Sequence, residues 1–156
     1  MEEVIRSLQA AQRALTVADH MAYVTYPLVK DIKLLVAVLN NLDHALTEGM
    51  NAALYYDRLY KRIPPLPEHF HLRMDLFKRK TAPRYGIGRE FILLLEDVRA
   101  IIEHRNQSPI EFTRKDKLVI CSSTYRMKVI TYDAIKDYLR QSKLFMDKIM
   151  KVCRFP

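Results

Sequence analysis

From Leu28 to Ala53 an apolar side chain recurs every three or four residues, at Leu28, Ile32, Leu35, Leu39, Leu42, Leu46, Met50 and Ala53, and Tyr60 falls two turns further on. That spacing draws one continuous stripe along an α-helix. Pro64-Pro65-Leu66-Pro67 then closes it, because proline lacks an N–H and clashes with the preceding turn. The pattern predicts a helix from about Leu28 to about Arg62. Gly49 lies inside it at a cost of about 1 kcal/mol against alanine. A close helix crossing or a bend at that point would explain the residue.

Shorter helices read the same way. Val4, Ile5, Leu8, Ala11, Leu15 and Ala18 predict a first helix over residues 2–24, with Pro27 breaking the chain and opening the next helix. A short helix follows the prolines over 68–80, then a loop from Thr81 to Gly88. Gly86 and Gly88 form no dinucleotide fingerprint, since Phe91 stands where the third glycine belongs. Phe91, Leu94, Leu95, Val98, Ile101 and Ile102 predict a helix over 89–105. The period then changes. Residues 117–130 are rich in β-branched side chains, with a polar turn near Ser122 to Tyr125, and read as a small β-hairpin. Thr131 is a candidate N-cap for a last helix over 132–152, with Ile135, Tyr138, Leu139, Phe145, Met146, Ile149 and Val152 on one face. The expected fold is mainly α: an antiparallel bundle of four to five helices, with a small β-hairpin before the last one. It is a single domain over 1–156.

Composition narrows the function. The 156 residues carry 26 Lys and Arg against 18 Asp and Glu, a net charge of +8. Such a surface attracts RNA, DNA, acidic lipid or an acidic protein. Cys121 and Cys153 form no CxxC pair, so no zinc site is expected, and two reduced thiols suit a cytoplasmic protein. The N-terminus does not read as a signal peptide, and no apolar run approaches the ~20 residues of a membrane span. The longest, Leu34 to Leu39, is flanked by polar residues.

The stretch that most suggests chemistry is Arg99-Ala-Ile-Ile-Glu-His104, followed by Arg105-Asn106 and a turn at Ser108-Pro109. A permanent guanidinium near an imidazole that titrates around neutrality can bind a phosphate and move a proton. On a straight helix positions 99 and 104 lie about 140° apart, so they converge only if the helix unwinds or a second subunit completes the site. The competing structural reading gives Arg99 two ordinary ion pairs, with Glu96 at i,i+3 and Glu103 at i,i+4.

Two long amphipathic helices, an Arg-x4-His segment two-thirds along and a final amphipathic helix together resemble the HEPN superfamily of small all-helical domains. The resemblance covers most of the chain by architecture and two residues by motif. It implies a metal-independent endoribonuclease of the toxin or defence kind, acting as a homodimer without cofactor. Arg99 would stabilise charge on the phosphate. His104 would act as general base towards the 2′-hydroxyl, or as acid on the leaving oxygen. Arg105, Asn106, Arg114 and Lys115 would grip the RNA. The family commonly has a polar residue after the arginine, where this chain has Ala100. Members without catalytic activity act as accessory modules beside a nucleotidyltransferase, so a non-enzymatic interaction module is the alternative.

Other groupings carry less. Glu68 and His71 make one E-x-x-H, whereas a di-iron bundle needs two and further glutamates. His44, Glu48 and His20 read as surface groups. Tyr55, Tyr56 and Tyr60 interleave with Arg58, Lys61 and Arg62, a mixture that either stacks bases and grips phosphates or simply rims a core. Lys78-Arg79-Lys80 with Arg84 and Arg114-Lys115 with Lys117 are basic clusters suited to non-specific phosphate contact. Cys121 reads as a buried thiol. No Ser-His-Asp arrangement or phosphate loop is present.

Overall fold

The computed structural model describes residues 1–107, 110–113, 117–121 and 127–154, with side chains throughout these except at 106, 107, 110–113, 121, 127 and 128. Helix α1 (Glu2–His20) passes into a π-helical turn (Met21–Thr25) and then α2 (Tyr26–Val29). After α3 (Ile32–Leu59) come α4 (Phe70–Leu76), a second π turn (Phe77–Thr81), α5 (Ala82–Arg84) and α6 (Arg89–Gln107). Strands β1 (Ile110–Thr113), β2 (Lys117–Cys121) and β3 (Met127–Thr131) lead into α7 (Tyr132–Val152). The helical bundle expected from the sequence is the fold observed.

Both π turns have the same cause. Pro27 and Pro83 each sit just after one, at the start of the following helix. Proline offers no N–H to the carbonyl four residues back, and its ring crowds that carbonyl. One extra residue in the turn relieves the clash, so the helix widens instead of stopping. Pro27 therefore does not break the chain. The break falls at Lys30, whose φ of 54° is left-handed, and at Asp31, whose carboxylate accepts from Lys33 N at 2.9 Å and caps α3. Leu28 accordingly leaves the α3 stripe and is 82% exposed.

Helices α1 and α3 pack along their lengths, and α7 crosses α3. Gly49 marks that crossing. A Cβ there would stand 2.9 Å from Phe145 Cε2 and 3.0 Å from Met146 Sδ, so only a hydrogen lets α7 approach this closely. Phe145 is fully buried and meets the rings of Phe77 and Phe91 edge-on or tilted. These contacts join α3, α6, α7 and the second π turn in one apolar core.

The expected hairpin is present as β2–β3, with Val119 opposite Val129. The sequence reading missed β1, which pairs antiparallel with the other edge of β2, Phe112 opposite Val119, to give the order β1-β2-β3. Leu118, Ile120 and Ile130 join the core beneath it. Thr131 caps α7 as expected, its hydroxyl accepting from Ala134 N at 3.0 Å. Among the described residues no helix is long and apolar enough to cross a membrane, and no group of His, Cys, Asp and Glu is arranged to hold a metal ion.

Candidate functional site

Arg99 turns inward from α6 towards α3 and α4. Its Nη2 donates to Thr47 Oγ1 at 2.8 Å, and its guanidinium lies 3.9 Å from the centre of the Phe70 ring. Its Nε is 3.0 Å from Asp43 Oδ1, a close ion pair whose N–H is not lined up for a full hydrogen bond. The two side chains keep only 23% and 16% of their surface. Burial holds the Asp43 carboxyl above its usual range. Arg99 pulls it down in part, and the Glu103 charge adds to the upward push. The ion pairs expected along α6 are absent for a simple reason: both glutamates face other elements. Glu96 pairs with Lys78 at 3.4 Å, and Glu103 with His71 Nε2 at 2.8 Å.

His104 is half-buried near the end of α6. Its Nε2 is withdrawn from solvent with no hydrogen-bond partner among the described residues. The neighbouring cavity, about 280 Å³, is lined by Phe70, His71, Ala100 and Glu103 among others, and by neither Arg99 nor His104. Arg105 lies one position on, half-buried. The side chain of Asn106, and all of Arg114 and Lys115, lie outside the described residues. Of the remaining groupings, His44 is exposed, and Glu68-x-x-His71 contributes only the pair to Glu103.

A second locus forms where α3 and α7 end side by side. A cavity of about 610 Å³ is lined by Tyr56, Arg62, Arg84, Tyr85, Lys148, Lys151, Val152 and Arg154. Five of the eight are cations, and no lining residue is acidic. Beneath it sits Asp57, fully buried on the last turn of α3. Its Oδ2 accepts from Thr81 Oγ1 at 2.8 Å and from Arg84 Nη1, and its Oδ1 from the Tyr85 hydroxyl at 2.5 Å. Arg62 Nη1 donates to the Tyr85 hydroxyl at 2.7 Å and lies 3.9 Å from Asp57 Oδ1. One carboxylate thus ties the segment from Thr81 to Tyr85 onto α3 and sets two guanidinium groups. Burial, then the Asp57 carboxylate, push the Tyr85 phenol up to about 12. Burial and the same charge push the thiol of nearby Cys153 up to about 12.

Charge bookkeeping decides the character of this cavity. Each helix C-terminus carries roughly half a negative charge. The two ends and Asp57 offset about two of the five cations, leaving an excess of about three. Among the described residues no carboxylate pairs with Lys148, Lys151 or Arg154. Such an arrangement can hold an oligoanion, with tyrosine rings at its wall.

The sequence reading reached this site only in part. It singled out Tyr56, Arg62 and Arg84, but in two separate clusters. It missed Asp57, Tyr85, Lys148, Lys151 and Arg154. The i,i+3 pair of lysines on the polar side of α7 was the available signal. Comparisons with protein-family models, with curated proteins and with solved structures give no match for this chain.

Proposed function

We propose that this protein binds RNA, and that the cavity at the joined ends of α3 and α7 carries the contact. The supporting observation is the five cations that line it around Tyr56 and Tyr85, with no acidic residue in the lining and the Asp57 carboxylate buried beneath Arg84. Phosphate neutralisation supplies most of the affinity in such interfaces, and aromatic faces add base stacking. A recess of this size suits a strand or a strand end better than a flat lipid surface. The likeness to HEPN domains, many of which act on RNA, selects RNA over DNA.

The test is fluorescence anisotropy with a labelled single-stranded RNA across a salt series. The slope of log K against log salt should be about −0.7 per phosphate neutralised. Lys148→Glu with Lys151→Glu, both at least partly exposed, should weaken binding more than tenfold and flatten that slope. Unchanged affinity in the double variant would sink the assignment to this cavity.

A second reading, metal-independent cleavage by a HEPN-like homodimer, draws support from His104. Its Nε2 has no hydrogen-bond partner among the described residues and is sheltered from solvent, so on this reading it meets a phosphodiester only when the end of α6 opens or a second subunit reshapes it. It predicts RNA cleavage in EDTA that His104→Ala abolishes, and a dimer in sedimentation.

A further inference from the structure

We infer that the α3–α7 cavity recognises a terminal phosphate, the phosphomonoester of an RNA end or of a free nucleotide, in preference to the diesters within a strand. As to the source of the ligand, this rests on the RNA-binding reading above.

Arg62 and Arg84 are fixed before any ligand arrives. Each has one Nη engaged from below, Arg84 by Asp57 and Arg62 by the Tyr85 hydroxyl. Asp57 is itself held by Thr81 and Tyr85. Both residues nevertheless line the cavity, the Arg84 side chain 33% and the Arg62 side chain 43% exposed. A guanidinium offers five N–H donors in a planar fork, so each keeps donors for an anion above it. Donors already oriented lose little entropy on binding. Lys148, Lys151 and Arg154 complete the ring from the α7 side.

An excess of about three positive charges fits a group that concentrates negative charge. A diester presents one negative charge and two usable oxygens. A phosphomonoester presents nearly two charges and three acceptor oxygens, because its second pKa lies near 6. A monoester followed by one diester therefore matches the excess, whereas an internal diester leaves most of it uncompensated. A recess of about 610 Å³ has room for a nucleotide-sized group.

The experiment compares two RNA 12-mers of one sequence, 5′-phosphorylated and 5′-hydroxyl, with free adenosine 5′-monophosphate as a third ligand. The phosphorylated RNA should bind at least tenfold tighter, and the preference should shrink as pH falls through 6. Lys148→Gln and Arg154→Gln, which lack ion pairs among the described residues, should each cut the preference severalfold without changing thermal stability. Arg84→Lys should cut it while keeping the charge over Asp57. Equal binding of the two RNAs overturns the terminal-phosphate inference and leaves RNA binding standing. Binding of the mononucleotide alone upholds the phosphomonoester site with a free nucleotide as its source, and overturns the RNA reading. No binding of any ligand overturns both.

Discussion

Replacing Arg99 by alanine asks whether that side chain serves the fold or only chemistry. The geometry predicts a structural cost. Breaking one partner of a fully buried pair costs about 3–5 kcal/mol. Arg99 and Asp43 keep 23% and 16% of their surface, so water recovers part of this and about 2 kcal/mol remains. The charged hydrogen bond to Thr47 and the stacking on Phe70 bring the total to roughly 4 kcal/mol. For a chain of this length that lowers Tm by roughly 8–16 °C. The loss should depend on pH. The Asp43 carboxyl sits above its normal range because it is buried, and Arg99 is the main force pulling it down. Folded-state pKa values raised in this way give stability that is complete below the unfolded value of 3.8 and lost as pH rises through the folded one. Without Arg99 the folded value climbs further, so the penalty should be larger at pH 7 than at pH 4. Asp43→Asn in the Arg99→Ala background should recover about 1–2 kcal/mol, a coupling visible in a double-mutant cycle. Calorimetry at the two pH values reads all of this. A Tm within about 1 °C of the parent at pH 7 would refute the tether and leave Arg99 free for catalysis.

Two further outcomes follow from the packing. Gly49→Ala gains about 1 kcal/mol of helix propensity but forces Phe145 and Met146 aside, an overpacking cost of about 1–3 kcal/mol. The net effect should be a lower urea midpoint at unchanged m-value, and a higher midpoint would show that α7 yields at the crossing. In a Cys121→Ser background, Cys153 should react with a thiol reagent at pH 8 far more slowly in the native than in the unfolded protein, because burial and Asp57 raise its pKa to about 12. The unfolded thiol ionises near 9, so this residue's contribution is complete below pH 9 and lost between 9 and 12. Native reaction at the unfolded rate would contradict that burial.

What the sequence made legible was whatever depends on neighbours along the chain. The end of α3 could be read because four residues with three prolines admit no helix. The bounds of α7 could be read because a threonine cap precedes a clean apolar stripe. Gly49 announced a close approach because nothing else explains its cost inside a helix. The misreadings have equally local causes. Pro27 suggested a chain break, and Thr81 to Gly88 with Pro83 suggested a loop, but a proline can be absorbed by widening the turn before it, and nothing in the composition separates the two outcomes. Strand β1 is four residues long, too short to show a period of its own. The ion pairs predicted along α6 failed because i,i+3 and i,i+4 spacing says who is adjacent on one helix, not which partner on α3 or α4 competes for the same charge.

The cavity lies beyond such local rules because it exists only where two helices end together. Asp57, Arg84 and Lys148 are far apart in sequence, and no spacing connects them. Their association follows from a problem the fold must solve. A carboxylate on the buried side of α3 demands compensation, since a buried polar or charged group left unpaired costs several kcal/mol. The donors that compensate Asp57 come from Thr81, Arg84 and Tyr85, the segment that absorbs Pro83 and then turns at Gly86 with φ 64°. Satisfying that carboxylate draws the segment against the end of α3, so the cations reach the surface already arranged. Lys148 and Lys151 arrive from the other side because the last turns of α7 run past the same place, where cations are also favoured by the helix dipole. The dipoles and Asp57 account for about two of the five charges, and it is the remaining three, held open by a buried framework, that distinguish an anion site from a balanced helix end.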